Sequence, residues 1–529
     1  MDPSHPISTI QAPPHTTGAI LRRLGPGLII AASIVGSGEL IATTKTGAEA
    51  GFALLWLIVI GCVIKVFTQV EFGRYSINTG RTTMDGMNEL PGPRLRVNWL
   101  VWYWLIMFSF STAQLGGIVG GVGQAVSMTV PLTGDFNELV VAQREWDQEA
   151  APIRERTIQQ ESGALDHGTW DQRQAALARI NEAVQSEVGR PRPSQNTTPT
   201  RDDVYWAAII TVITSAMLIS GRYSLVQSVA VGLVATFTFI TVINLFGLQY
   251  HDSWAVRWED LRVGFSFDLP RGLPGAAGAP VATALATFGI IGVGASEIVA
   301  YPYWCLEKGY ARFTGPRDNT DSWADRARGW LRVMRWDAWC SMVIYTFGTI
   351  AFYLLGAAVL HRQRLNPAED QLIYVLSKMY EPVFGTGAQL LFLFGAFAVL
   401  YSTFFVASAG NARVMADAIR VFGLIGNSPE SRLRWTRIFC GLFPFASLIV
   451  YSFIRAPAAL VLASGIIQAI MLPMLGAAAL YFRYRRCDQR ICPGTVWDIF
   501  LWVSAGGLLI AGGWAALVKI FPQVQLLGS

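Results

Sequence analysis

The stretch Val35-Gly36-Ser37-Gly38-Glu39-Leu40 decides the fold of this chain, because it interrupts a long apolar run near its middle. A glycine in a helix interior costs ~1 kcal/mol relative to alanine, and a glutamate at membrane depth costs ~2.5 kcal/mol or more. A second apolar run repeats the pattern as Gly289-Ile-Ile-Gly292-Val-Gly294-Ala-Ser296-Glu297. Because the same two penalties coincide twice, we expect both breaks to serve a function.

The composition around these breaks is that of a membrane protein. Of the 529 residues, 52% are hydrophobic and only 15% are charged, whereas soluble chains carry about 25% charged residues. A helix needs ~20 apolar residues to cross a bilayer, and eleven such runs are present. This pattern predicts an all-α membrane protein and excludes a soluble enzyme, a secreted disulfide scaffold and a disordered chain. The runs cover residues 24–46, 52–72, 98–125, 204–220, 224–246, 280–304, 337–360, 386–410, 438–454, 457–482 and 496–520.

Basic residues predict the orientation of these spans. Arginines and lysines concentrate in alternate loops, and cytoplasmic loops are the ones enriched in them. We therefore expect a cytoplasmic N-terminus, an extracytoplasmic C-terminus and a location in a bacterial inner membrane. The net charge of +5 then reflects topology rather than nucleic-acid binding. Residues 1–23 are predicted to be a short disordered cytoplasmic tail.

A polar insertion divides the membrane domain. Residues 24–130 hold the first three spans, residues 131–203 form an extracytoplasmic insertion, and residues 204–529 hold spans four to eleven. The composition of residues 137–188 favours one or two surface helices. Such an insertion is more typical of a tolerated loop than of a regulatory domain.

The two breaks predict a site between two halves of the chain. Glycine-interrupted spans at corresponding positions are typical of secondary transporters, and five spans separate the breaks, which suits two inverted five-helix repeats plus an eleventh helix. Backbone unwound at that depth must line a cavity or be buried in protein. The predicted substrate site consists of Gly36, Ser37, Glu39, Gly294, Ser296 and Glu297, with the two glutamates as metal ligands. For Gly116, Gly117, Gly120 and Gly121 in the third span, helix packing is the favoured interpretation.

Several motifs resemble the natural resistance-associated macrophage protein (Nramp) family of divalent-metal transporters. The resemblance extends over all eleven spans and leaves out the insertion. It implies the inverted-repeat fold of amino-acid/sodium symporters, with unwound first and sixth helices. The motifs are Gly25-Pro26-Gly27, the segment from Gly47 to Trp56, Asn78-Thr79-Gly80, Arg434-Trp-Thr436-Arg437 and Leu472-Pro473.

The chemistry of the breaks departs from that family. Metal-transporting members have Asp-Pro-Gly-Asn where this chain has Gly36-Ser37-Gly38-Glu39, and Met-Pro-His where it has Ser296-Glu297-Ile298. By the same alignment, Ser111 and Gln114 replace an acidic pair associated with proton movement. Three polar residues are expected to lie next to the site: Ser111, Gln114 and Gln468. Their side chains are expected either to pack between helices or to contact the groups that bind the ligand.

These replacements predict a hard-cation site. Carboxylates and carbonyls suit magnesium and manganese, whereas a thioether favours softer metals. We therefore expect weakly coupled or uncoupled transport of a divalent cation, with the cation as substrate and with no cofactor. The alternative is an amino acid or another small organic cation or zwitterion, since the glycine-rich break also resembles that of amino acid–polyamine–organocation transporters. The sequence leaves the oligomeric state open.

Other polar groups in the spans have weaker functional interpretations. None of the five histidines lies in the middle of a span, so a membrane enzyme with a histidine base is not expected. Lys45 and Glu49 are one helical turn apart. They are expected either to form an ordinary ion pair within the helix or to act as a gate. Lys65 is expected to extend its ammonium to the membrane surface rather than to form a functional ion pair.

Overall fold

The computed structural model describes residues 10–167, 170–195, 198–220, 223–269, 280–363, 365–367 and 372–520. Within them the regular secondary structure is helical apart from a hairpin of β1 (Arg94–Leu95) and β2 (Val97–Asn98). The helices are α1 (Thr17–Leu21), α2 (Pro26–Ile34), α3 (Thr44–Ala50), α4 (Leu55–Thr79), α5 (Thr83–Asn88), α6 (Trp99–Thr129), α7 (Asp135–His167), α8 (Trp170–Val188), α9 (Asp202–Ser220), α10 (Tyr223–Gly247), α11 (Trp258–Gly264), α12 (Pro280–Ile290), α13 (Ala295–Lys308), α14 (Tyr310–Thr314), α15 (Asp321–Leu355), α16 (Leu372–Ser377), α17 (Glu381–Phe384), α18 (Ala388–Val421), α19 (Pro429–Phe453), α20 (Pro457–Tyr481) and α21 (Thr495–Ile520). Segments of π-helix cover Val35–Thr43, Gly356–His361 and Phe482–Arg486, and single 3₁₀ turns cover Leu248–Tyr250, Lys378–Tyr380, Gly385–Gly387 and Gln489–Ile491.

Each predicted span coincides with a long helix or a pair of helices. Among the described residues, nine helices are long and apolar enough to cross a membrane, or ten if the bent pair that starts at Pro26 is one span. The predicted fifth span is α10, of which Val234–Tyr250 is a shorter apolar helix. The fold is therefore that of a polytopic helical membrane protein. The count of eleven spans and the inverted repeat stay predictions.

The first break differs from the unwound stretch that the sequence predicted. The backbone from Val35 to Thr43 stays helical but widens into a π-helix, and α2 and the helix that follows are bent by 41°. Hydroxyl groups explain how the wide turn is stabilised, since Thr43 Oγ1 donates to the carbonyl of Gly38 and Thr44 Oγ1 to that of Glu39, each five residues back. Single π turns inside helices are frequent at functional sites.

The sixth span is interrupted more completely. Helix α12 ends at Ile290 and α13 begins at Ala295, and the four residues between them are not helical. Gly292 in this gap has φ +56°, a left-handed conformation that favours glycine. The carbonyls at the end of α12 and the amides at the start of α13 are consequently left without helical partners.

Glycines bring α6 into close contact with its neighbours. A Cβ on Gly116 would lie 2.9 Å from the carbonyl oxygen of Ser447, and one on Gly117 would lie 2.6 Å from that of Pro457. A Cβ on Gly120 would overlap the Tyr451 ring. These contacts support the packing interpretation of the glycines in the third span, because small residues let membrane helices approach closely.

The insertion forms two long helices that pack on each other. Trp146 and Ala150 of α7 bury their side chains against Val184 of α8. Ion pairs link the two helices, including Arg156 with Glu187 and Arg179 with Glu161. The Arg179 guanidinium holds the pKa of Glu161 below its ordinary value. The insertion at residues 131–203 therefore contains two packed helices rather than one.

The N-terminal segment is more ordered than the sequence predicted. Residues 1–9 lie outside the described part of the chain, but Gln11 donates its amide to the Phe313 carbonyl and accepts a bond at its own carbonyl from Trp330 Nε1. Pro13 packs directly on Gly329. The expectation of a disordered tail was wrong for these residues, because prolines that resist helix formation still allow extended chain to dock on α14 and α15.

We predict that Gly117→Val lowers the thermal unfolding midpoint, because its branched side chain overlaps the Pro457 carbonyl and overpacking costs ~1–3 kcal/mol. Gly506→Val on α21 is the matched control, since a Cβ there meets nothing within 4 Å. Both proteins are to be measured in detergent by a thermal shift of monodisperse protein. An equal decrease of the unfolding midpoint in the two variants would contradict this prediction. It would show that the low helix propensity of valine, and not close packing at Gly117, causes the loss of stability.

Candidate functional site

Glu39 lies at the centre of the helix bundle, on the π-helical part of the first span. Its side chain is 0% exposed. One carboxylate oxygen, Oε1, accepts a hydrogen bond of 2.9 Å from Thr349 Oγ1 of α15, and the backbone amide of Gly292 stabilises the carboxylate electrostatically. The other oxygen, Oε2, is buried without a hydrogen-bond partner. A buried carboxylate oxygen that lacks a partner is costly, so this position calls for a cation or a proton.

Glu297 lies in the first turn of α13, directly after the gap in the sixth span. Its Oε2 accepts a hydrogen bond of 2.9 Å from Ser296 Oγ, which also lies 2.9 Å from Gln468 Oε1 of α20. Gly294 makes room for this arrangement, since a Cβ there would lie 2.5 Å from Glu297 Oε2. A negative side chain in this position is favourable because it faces the positive end of the helix dipole.

The two breaks meet at this point. A Cβ on Gly38 would lie 3.1 Å from the carbonyl oxygen of Ile290, the last residue of α12. Glu39 and Glu297 are close enough to repel each other. The structure therefore brings together the two carboxylates that the sequence singled out, one fully buried and one partly buried. Among the described residues, no group of three or more His, Cys, Asp or Glu side chains is placed to hold a metal.

Three other predicted site residues, Gly36, Ser37 and Ser111, differ in their surroundings. Gly36 is buried against α18, where a Cβ would overlap Thr403 Oγ1. The backbone of Ser37 belongs to the π-helix, while its side chain lies outside the described part. Ser111 is buried on α6, but its Oγ has no hydrogen-bond partner, so the structure does not join it to the glutamates.

An amide network extends from Glu297 toward α6. Gln468 Nε2 donates to Gln114 Oε1 at 2.9 Å and lies 3.1 Å from Ser464 Oγ. Ser464 Oγ donates to the same Gln114 oxygen at 2.9 Å. Gln114 and Gln468 are thus linked to Glu297 through Ser296, which places them in contact with the site rather than only in a helix interface.

Lys65 occupies a position that the sequence did not predict. Its side chain is 0% exposed, and its ammonium donates to the carbonyls of Phe288 and Ile291 at the end of α12. The expectation that Lys65 reaches the membrane surface was wrong, because the gap in the sixth span leaves carbonyls free to bind it. The negative end of the helix dipole stabilises a positive charge here. Lys65 also attracts both glutamates.

Polar networks on both sides of the site connect neighbouring helices. On one side, Lys45 forms an ion pair of 3.0 Å with Glu49 and donates to Asn366 Oδ1 at 2.7 Å. Asn366 Nδ2 donates to Glu49 Oε1. The ion pair expected within one helix therefore also connects α3 to the loop after α15.

The network on the other side is centred on Asp417 of α18. Its Oδ2 accepts a bond of 2.7 Å from Tyr303 of α13, and its Oδ1 accepts one of 2.8 Å from Arg420. Arg420 also binds Asp85 of α5 at 2.7 Å. This cluster joins the far end of the sixth span to α18 and α5.

The start of the first span is capped from α15. Asp337 accepts hydrogen bonds from the amides of Gly25 and Gly27 and from the Tyr301 hydroxyl. Gly27 is required for this contact, since a Cβ there would lie 2.6 Å from the Asp337 carbonyl oxygen. The sequence singled out the glycines, but nothing in it predicted the partner.

Comparisons with known proteins show the family of the chain and its fold. The family model described as "Natural resistance-associated macrophage protein-like" matches residues 199–516, more than half of the chain. A divalent metal cation transporter, MntH, of Mycobacterium tuberculosis (strain H37Rv) is 25% identical over 109 residues, 21% of this chain and 25% of that protein. MntH of Verminephrobacter eiseniae is 27% identical over 111 residues, with the same two shares. The chain thus matches about a quarter of the length of these relatives.

Solved structures support the fold over nearly the whole chain. A crystal structure of a variant manganese transporter from Eremococcus coleocola has a TM-score of 0.62 with 14% sequence identity, and the match covers 98% of this chain and 93% of that one. A second variant of the same transporter has a TM-score of 0.61 with 15% identity. At this level of identity the likeness concerns the arrangement of helices alone.

We predict that Thr349→Val destabilises the protein because it removes a side-chain hydrogen bond from the fully buried carboxylate of Glu39, a loss of ~1.5–3 kcal/mol. Thr346→Val, one turn earlier on α15, is the control, since that hydroxyl bonds the sulfur atoms of Met342 and Cys62 and not Glu39. In a double-mutant cycle of thermal stability, Thr349→Val and Glu39→Gln should show a coupling energy well above zero. Strict additivity of the two changes would contradict the hydrogen bond.

Proposed function

We propose that this chain, which belongs to the natural resistance-associated macrophage protein-like family, is a secondary transporter of a divalent metal cation. The cation would bind between the first and sixth spans, where Glu39 and Glu297 lie. The proposal rests on three supports: the family of the chain, its fold, and a pair of carboxylates at membrane depth. Transporters of this construction place substrate near the bilayer midplane, at the breaks of their discontinuous helices.

One observation carries the proposal, namely the free oxygen of Glu39. Oε2 is buried and has no hydrogen-bond partner, while Oε1 is already held by Thr349. A cation that binds at Oε2 would offset the cost of keeping this oxygen from water. Glu297 would supply the second carboxylate, and because it is only partly buried, an entering ion would meet it before Glu39.

The remaining ligands are all hard oxygen donors. Ser296 Oγ and the backbone carbonyls of Gly36, Ser37 and Gly294 are near the two carboxylates in sequence, and no thioether or imidazole belongs to this set. Magnesium commonly keeps several waters and binds one or two carboxylates, and manganese also accepts oxygen ligands. We therefore assign the site to magnesium or manganese.

Transport is proposed to be weakly coupled to protons or uncoupled. The groups that run from Glu297 toward α6 are Ser296, Gln468, Gln114 and Ser464. Amides and hydroxyls have no charge to gain or lose near neutral pH. This chain of groups would orient the ligands without carrying protons away from the site.

Alternating access would depend on the two flanking networks. The Lys45–Glu49–Asn366 group connects α3 to the loop after α15, and the Asp417 cluster connects α13 to α18 and α5. If each network forms when its side of the site closes, the site opens to one side at a time. Such rocking of one bundle against another is common to this class of transporter.

One observation favours a second candidate substrate, a small zwitterionic solute. The buried ammonium of Lys65 is a partner for a substrate carboxylate, while the two glutamates would bind a substrate amine. A divalent cation, by contrast, is repelled by Lys65. Solute uptake that depends on Lys65, in the absence of any divalent flux, would favour this candidate.

We predict that Glu39→Gln and Glu297→Gln each reduce divalent-cation uptake at least ~10-fold, since each removes a charge-assisted ligand worth ~1.5–3 kcal/mol. The measurement is influx into proteoliposomes that contain a metal-sensitive dye, with magnesium, manganese, calcium and a panel of amino acids offered in turn. A pH-sensitive dye in parallel vesicles should report little or no proton movement.

Glu307→Gln is the matched control for these two variants. Glu307 lies on the same helix as Glu297 but is half exposed and paired with Arg413, so its loss should leave uptake close to that of the unaltered protein. Wild-type divalent flux in both Glu39→Gln and Glu297→Gln would refute the assigned site. Amino-acid uptake without divalent-cation uptake would show that the substrate is an amino acid, and the proposed position of the site would stand.

We further predict that Ser296→Met shifts selectivity toward manganese. A thioether in place of the hydroxyl adds a soft ligand that magnesium binds poorly. The ratio of manganese to magnesium uptake in competition should rise several-fold, with Ser296→Ala as the variant that removes the hydroxyl without adding sulfur. An unchanged ratio, with both ions still transported, would place Ser296 outside the ligand set.

A further inference from the structure

A cavity of about 340 Å³ lies between α15 and the start of α21, far along the chain from either break. It is lined by Arg332, Arg335, Trp336, Trp339 and Trp497. The four residues from α15 follow the spacing i, i+3, i+4, i+7, so they form one face of that helix. Nothing in the proposed transport mechanism uses this cavity.

The arginines of the cavity lie in a region with a surplus of positive charge. Within the described part of the chain, neither Arg332 nor Arg335 forms a hydrogen bond or an ion pair. Arg335 lies close enough to Arg332 and Arg74 to be repelled by both, and only Glu71 attracts it. Glu71 is already engaged, because both of its oxygens bind Arg74 at 3.1 Å and one accepts a bond from Trp497 Nε1. Three guanidiniums against one carboxylate leave two positive charges uncompensated.

Aromatic rings form the wall of the cavity. Phe67 of α4 holds Trp339 edge-on at 5.5 Å and Trp497 at 5.0 Å, centroid to centroid. Trp336 is 42% exposed, which places its ring at the open side. Tryptophans are enriched where membrane helices cross the headgroup region, so this wall is suited to the boundary between acyl chains and water.

The loops next to the cavity are fixed by a group of ion pairs. Asp488 binds Arg317 at 2.9 Å and Arg490 at 3.0 Å, and these guanidiniums lower the pKa of Asp488 to about 2. Arg490 also donates to the carbonyls of Asp318 and Thr320. The loop after α20 is thereby held against the start of α15, so the cavity between α15 and α21 has a defined shape.

We propose that this cavity binds the phosphate of an anionic phospholipid from the adjacent leaflet. Arg332 and Arg335 would hold the phosphate, and Trp336, Trp339 and Trp497 would surround the glycerol and the first carbons of the acyl chains. A basic pocket between membrane helices at this level is a recognised form of lipid-headgroup site. Arginines that only mark orientation would need neither a cavity nor a tryptophan on the same helical face. The site is independent of the proposed transport chemistry.

The test is native mass spectrometry of the full-length protein in detergent, mixed with phosphatidylglycerol or with phosphatidylcholine of the same acyl chains. We expect the unaltered protein to retain phosphatidylglycerol in preference. Arg332→Gln together with Arg335→Gln should lower the retained fraction roughly 10-fold or more, because each basic residue near the headgroup contributes about a kcal/mol. The pair Arg332→Lys and Arg335→Lys, which keeps the charge, should restore most of the binding.

Arg434→Gln with Arg437→Gln is the matched control. These two exposed residues of α19 are also three positions apart in a basic segment, but they line no part of this cavity. An equal loss of lipid in both double variants would overturn the proposal in favour of diffuse attraction to a basic surface. Displacement of the lipid by soluble glycerol phosphate at equal concentration would overturn the lipid as occupant and assign a free phosphate instead.

Discussion

A glutamate that must stay buried inside the membrane protein is the constraint from which the centre of this structure follows. Glu39 is fully buried, and an isolated charge in such a place is far too costly to persist alone. Three groups offset the cost: the Thr349 hydroxyl, the Gly292 amide and the positive charge of Lys65. They come from three different spans. A single carboxylate thereby fixes how four helices meet.

Glycine makes this meeting possible. The approach of Gly38 to the Ile290 carbonyl leaves no room for a larger residue without movement of backbone. Gly289 packs even more tightly on the Gly465 carbonyl of α20. In a membrane there is little hydrophobic gain from joining apolar helices, so close van der Waals contact has to hold them together. The same residue type thus serves both to pack the helices and to free the backbone at the breaks.

The sequence predicted the long apolar helices correctly, because the thickness of the bilayer sets the length of each apolar run. Each apolar run corresponds to helix in the structure, since a bilayer of fixed thickness demands about 20 apolar residues. Glu39 and Glu297 were recognisable because a charge in an apolar run violates that rule. Thr349 was not, because a threonine inside a helix violates nothing. Its role exists only once α15 lies beside the first span.

Two predictions about the membrane spans failed for reasons of tertiary structure. Lys65 was expected at the membrane surface because a lysine stem is long enough to reach it, but the gap in the sixth span offers carbonyls nearer by. The first span was expected to unwind because of its glycines. Thr43 and Thr44 instead supply hydroxyls to carbonyls five residues back, and the helix widens. In both cases the expected local behaviour, of the lysine side chain or of the glycines, was changed by a hydrogen-bond partner. The position of that partner cannot be predicted from the sequence.

The charge balance of the centre finally connects structure with substrate. When Glu39, Glu297 and Lys65 are all ionised, two negative charges and one positive charge leave a single net negative charge. A divalent cation reverses that sign, whereas a zwitterion leaves it unchanged. Coulomb interactions at low dielectric constant are strong, so a site with this balance would hold a dication less tightly than two unopposed carboxylates would. Weaker binding favours release, which a transporter needs as much as capture. For the proposed cation, Lys65 would therefore lower the affinity of this centre, whereas the two glutamates would raise it.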